Sequence, residues 1–122
     1  MDSTLEEWLD STQQLREGLL AWDKKPLPSD ATERHQHLDE AVQAAADAGR
    51  LFADAETFFL HAKAEAVFKI RREHDDLSAP ERKILVEAEV ADLGRLVEGL
   101  AVCKQTLRSR IYATMNENRA SR

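Results

Sequence analysis

Lys69, Arg71, Arg72, Arg82 and Lys83 flank one short break in the chain, and they are the residues whose type and spacing best suit chemistry. Clustered guanidinium and ammonium groups neutralise adjacent phosphates and release their counterions, so the chemistry they suit is binding of a phosphate backbone. Asp75, Asp76 and Glu81 lie among them, and a turn that neutralises its own charge is the competing reading. A second basic concentration, Lys104, Arg108, Arg110, Arg119 and Arg122, lies toward the carboxyl end.

Other chemistry finds little support. The four glycines, Gly18, Gly49, Gly94 and Gly99, are isolated within helical patterns; no phosphate-binding loop is present, and their expected role is close helix contact. His35 and His37 are two apart and diverge on a helix, and His61 with Glu65 is one i,i+4 pair without further ligands. Cys103 falls beside Leu100 and Leu107 on an apolar stripe, where a buried, inert thiol is expected. No catalytic, cofactor-binding or metal-ligating residue is expected, and the chain does not read as an enzyme.

The elements that must position the cations read as helices. Composition is 43% hydrophobic and 33% charged, aromatics are 6%, and only 4 Gly and 3 Pro punctuate 122 residues. That is too little turn chemistry for a sheet and enough apolar content for one core, so the chain reads as a single all-α domain, 1–122. Helix 1 is expected over about 4–23, opened by a Ser3/Glu6 capping box, with Leu5, Trp8, Thr12, Leu15, Leu19 and Trp22 as its stripe. Pro26 and Pro28 stop it. Asp30 and Glu33 open helix 2, about 31–72, on which Leu38, Ala45, Phe52, Phe59 and Ala66 recur every seventh residue, a coiled-coil period. Ser78-Ala79-Pro80-Glu81 opens helix 3, about 79–116, with Val86, Leu93, Leu100, Leu107 and Thr114 at strict sevens, and 117–122 is expected to fray.

An antiparallel hairpin turning near residue 76 pairs positions whose numbers add to about 152, and Ala66 then meets Val86 while Phe59 meets Leu93. The fold expected is a short N-terminal helix packed on a long, coiled-coil-like antiparallel hairpin. Helix 1, about 27 Å long, covers only the open end of a hairpin about 60 Å long. Apolar side chains at the far end point in several directions, so Phe58, Leu60, Val67, Phe68, Ile84, Leu85 and Leu96 are expected to join copies of the chain into a homo-oligomer.

The net charge of -6 is unevenly spread, with residues 1–60 at -8 and 61–122 at +2, which directs anionic partners to the second half. One cysteine suits a reducing cytosol, and neither a signal nor a membrane span is expected. The alanine-rich run Leu60-His-Ala-Lys-Ala-Glu-Ala-Val-Phe-Lys-Ile-Arg-Arg, the break after it, Val86-Glu-Ala-Glu-Val, Leu107-Arg-Ser-Arg-Ile-Tyr and the closing Asn118-Arg-Ala-Ser-Arg resemble small helical phage proteins. These are similar in turn to UvsY-type recombination mediators, ring-like oligomers that help load a recombinase onto single-stranded DNA. The resemblance spans about 55–120 and implies a phage accessory protein that oligomerises; no binding residue is carried over from it. The expected partners are therefore single-stranded DNA or a recombination protein. The alternative is a host protein, bound through the acidic half and the apolar surface in the manner of an inhibitor or adaptor.

Overall fold

The computed structural model describes residues 3–120, with side chains over 4–117. The Ser3 cap, Arg119, Arg122 and most of the tail expected to fray lie outside the described side chains. The protein is all-α: α1 (Ser3–Leu20), α2 (Ala31–Glu73), α3 (Ala79–Glu89) and α4 (Ala91–Ala120), with a 3-10 turn at Ala21–Lys24 between α1 and α2. Among the described residues there is no strand, and no helix is long and apolar enough to cross a membrane.

Local chemistry sets the boundaries. Asp30 opens α2 by accepting hydrogen bonds from the Thr32 and Glu33 amides at 2.7 and 3.2 Å. Arg71 and Arg72 occupy its last turn, where the helix dipole favours cations. Helix 1 as expected stops short: its last residues tighten into the 3-10 turn, which carries Trp22 into the core at 6% exposure ahead of the prolines.

The third expected helix, 79–116, is two helices. Val90 has φ -106° and ψ 12°, outside the helical basin, yet its amide donates to Val86 at 3.2 Å and its carbonyl accepts from Gly94 at 2.9 Å. The departure is confined to one residue. No Pro lies within the α3–α4 stretch after Pro80, and the apolar period runs through Val90 unbroken, so the sequence pattern did not reveal it. At the other end α4 continues to Ala120, past the point where fraying was expected.

Packing divides the chain into two compact units, Met1–Leu51 with Leu100–Arg122, and Phe52–Gly99. In the first, Leu5, Leu19 and Trp22 are buried, as are Ala41, Ala48, Leu51 and Leu107, the last four at 2% exposure or less. Thr114 is fully buried, and its hydroxyl donates to the Arg110 carbonyl at 2.8 Å, which satisfies it within its own helix. Arg110 also donates to the Trp22 carbonyl at 3.3 Å, while Lys25 lies 4.0 Å above the Trp22 ring and His37 packs against its side. In the second unit, Ala66, Ile70, Val86 and Val90 form one cluster, with Phe59, Ala62 and Leu85 against it.

Burial along α2 corrects the phase of the seven-residue reading. Leu38, Ala45 and Phe52 are only partly buried, whereas Ala41, Ala48 and Ala55 have no exposed surface. The buried set keeps a seven-residue period in another phase, through Arg34, Ala41, Ala48 and Ala55 and through His37, Ala44 and Leu51. From Ala55 to the next buried residue, Ala66, is eleven residues, a seven-residue step lengthened by four, so the expected line lies on the flank at Leu38 and joins the core at Ala66. The glycines are corrected likewise. Only Gly94 faces a neighbour, where an added Cβ would meet the Phe59 ring at 3.4 Å; at Gly18, Gly49 and Gly99 such a carbon meets nothing within 4 Å.

Candidate nucleic-acid interface

Within the second unit, α2 and α3 line a groove of about 290 Å³. The α2 wall is Lys63, Val67 and Arg71, which four-residue steps place on one face. The α3 wall is Ala79, Arg82, Lys83, Val86 and Glu87. Val67, Ala79 and Val86 supply apolar surface, with four cations and one carboxylate about it.

A complete capping box holds the start of the α3 wall. The Ser78 hydroxyl accepts from the Glu81 amide at 3.3 Å, and the Glu81 carboxylate accepts from the Ser78 amide at 3.3 Å and its hydroxyl at 2.7 Å. Those bonds stabilise the charged carboxylate and hold its pKa below the ordinary value. Glu81 is thus committed to the cap rather than to a cation of the groove. Arg82 donates to the Leu77 carbonyl at 2.6 Å, which fixes its guanidinium across the turn.

The structure brings together three of the five expected phosphate-binding residues, Arg71, Arg82 and Lys83. Lys69 is not among them: its ammonium lies 3.0 Å from Glu89 on α3, and that hydrogen bond raises its pKa. Arg72 stands outside the groove, one residue round from Arg71. Arg71, Arg72 and Lys83 form no ion pair with any described residue, Asp75 and Asp76 included. Lys63 was missed, although its i,i+4,i+8 spacing with Val67 and Arg71 was the available signal. Of the second basic group, Arg110 is tied to the Trp22 carbonyl.

The expected interface set also divides. Leu60, Val67, Phe68 and Ile84 are exposed, Phe68 at 71% and Ile84 at 66%. Phe58, Leu85 and Leu96 are partly buried, and Leu85 packs on the Ala66–Val86 cluster. Ile84 is two residues, about 200° of helix, from the groove residue Val86, so it points away from the groove. Leu60 and Val67 are seven apart and share a flank.

Charge is local. Residues 52–99 hold 7 Lys and Arg against 11 Asp and Glu, a net charge of -4, so the cationic groove sits on an acidic body. The surplus of positive charge in the second half belongs instead to 100–122. Among the described residues no three His, Cys, Asp or Glu side chains are grouped as metal ligands would be. Cys103 is 5% exposed, and burial, with the Asp23 carboxylate, pushes its thiol pKa up. No protein family, characterised protein or solved structure matches the chain.

Proposed function

We propose that the chain is a non-enzymatic, oligomerising helical scaffold, a phage accessory protein of the cytoplasm, whose second unit binds single-stranded DNA. In this reading α2 returns through α3 and α4 as an antiparallel hairpin, and the groove near its turn is the contact. The observation that carries the reading is the convergence of Lys63, Arg71, Arg82 and Lys83 around an apolar floor, with Arg71 and Lys83 free of partners among the described residues. Such a groove neutralises a few phosphates while its floor receives an uncovered base.

The acidic body limits the contact to the groove, because a polyanion leaving it meets net negative charge. One copy then holds few phosphates and binds weakly. Several copies along one strand restore affinity through effective concentration, and for this reason we join the DNA reading to oligomerisation. Exposed Leu60 and Ile84, outside the groove, are the apolar positions that hold copies together. Charge reversal tests the proposal. Arg71→Glu with Lys83→Glu abolishes oligonucleotide binding while helicity and particle mass stay unchanged; retained binding rejects the groove.

A second reading, a protein-binding adaptor, is favoured by the apolar floor. An acidic amphipathic helix from a recombination protein or host protein would lay its apolar face on Val67 and Val86 and its carboxylates on the surrounding cations. Competition between such a peptide and an oligonucleotide for the groove decides between the two.

A further inference from the structure

We infer that Phe68 is a stacking platform for an unpaired base, with Arg71 and Arg72 holding the phosphates on either side of it; this deepens the single-strand reading and rests on it. Three observations converge. Phe68 is the most exposed large apolar side chain of the described protein, at 71%. It lies well inside α2, which runs on to Glu73, so the ring is presented from regular helix rather than from a loop. Arg71 and Arg72 follow at i+3 and i+4, the two spacings that place side chains on the same helical face one turn away.

The other aromatics are engaged or placed elsewhere. Trp22 is buried, Trp8 carries the Arg16 guanidinium 6.0 Å above its ring, Phe52 and Phe58 are half-buried, and Phe59 packs on the core with the Lys63 ammonium 6.0 Å above its ring. Tyr112 is exposed but belongs to the first unit. Phe68 is therefore the exposed aromatic of the second unit, beside cations that form no ion pair among the described residues, and its neighbour Val67 continues the surface into the groove.

The chemistry chooses the ligand. A phenyl ring receives a base only when that base is free of a duplex stack, and two guanidiniums one turn away reach the backbone on both sides. The site thus takes single-stranded nucleic acid in preference to duplex and tolerates any base, since each offers a flat π-face. An apolar subunit contact would need only bulk at position 68, and that difference is testable.

Labelled oligodeoxythymidine is titrated into the full chain carrying Phe68→Tyr, Phe68→Leu or Phe68→Ala, with particle mass and helicity followed in parallel. The expected result is near-native affinity for Phe68→Tyr and roughly ten-fold weaker binding for Phe68→Leu and Phe68→Ala. The slope of log affinity against log salt stays unchanged in all three, because no phosphate contact is lost. Native affinity in Phe68→Leu, or a fall in particle mass, overturns the platform while leaving the groove reading in place. If wild-type protein binds no oligonucleotide, both are overturned. A Phe68→Trp variant gives a direct signal: its added indole emission is quenched by oligodeoxythymidine if bases stack there, and unquenched emission under saturating binding rejects the inference.

Discussion

Lys69 on α2 and Glu89 on α3 meet at 3.0 Å, each side chain 47% exposed, and this pair removes one cation from the cluster that the sequence presents. Exposed pairs of this kind contribute little to stability, so its consequence is for charge rather than for folding. Lys69→Ala should leave the salt slope of oligonucleotide binding unchanged, whereas Lys63→Ala should lower it by about 0.7, the value for one phosphate contact to a single strand. Titration at several salt concentrations checks both. An equal loss at the two positions would return Lys69 to the contact set.

That the chain is all-α, and about where its helices begin and end, was legible because the start and stop signals are chemically explicit. Asp30, the prolines at 26 and 28 and the Ser78–Glu81 box each satisfy or deny particular backbone groups, and the helices begin and end within a few residues of them. The departure at Val90 was not legible, since it is one residue's φ and ψ with its hydrogen bonds kept. Three cations of the site could be read from their clustering about the turn. The loss of Lys69 to Glu89, twenty residues away, could not, because it depends on the facing of two helices.

The alanine seam of α2 gives a stability prediction that separates its observed phase, through Ala48 and Leu51, from the expected line through Leu38. Ala48 has no exposed surface and Leu38 is partly buried. Ala48→Leu should destabilise the chain by about 1–3 kcal/mol through overpacking. Leu51→Ala, at a side chain 2% exposed, should cost about 2–5 kcal/mol by leaving a cavity. Leu38→Ala should cost less than either. Chemical denaturation orders the three, and a Leu38→Ala cost above that of Leu51→Ala would contradict the register.

Acid should loosen the first unit through His37. Its ring centroid lies 5.2 Å from that of Trp22, it is 7% exposed, and its Nε2 is buried without a hydrogen-bond partner. Burial, then the Arg110 guanidinium and Lys25 ammonium, lower its pKa from 6.5 against the opposing pull of Glu40. The folded state therefore prefers the neutral ring. Stability from this source is complete above about pH 6.5 and declines as pH falls through the lowered folded value, because the unfolded chain then binds the extra proton. His37→Leu should flatten that acid limb in denaturation curves measured between pH 5 and 7, and an unchanged limb would exclude His37 as its source.

Cys103 should be slow to react. A buried thiol with a raised pKa offers little thiolate, so native protein at neutral pH should label with a thiol reagent far more slowly than unfolded protein. Comparable rates in the two states would show that the Leu100–Leu107 stripe opens readily.

The central claim, that an oligomer of this chain binds single strands through the groove of its second unit, is tested most directly by one titration. Labelled oligodeoxythymidine is followed by anisotropy at low and near-physiological salt while particle mass is recorded. The predicted result is an oligomer whose affinity falls steeply with salt and exceeds its affinity for duplex of equal length. A monomer, or an oligomer that binds no oligonucleotide even at low salt, would contradict it.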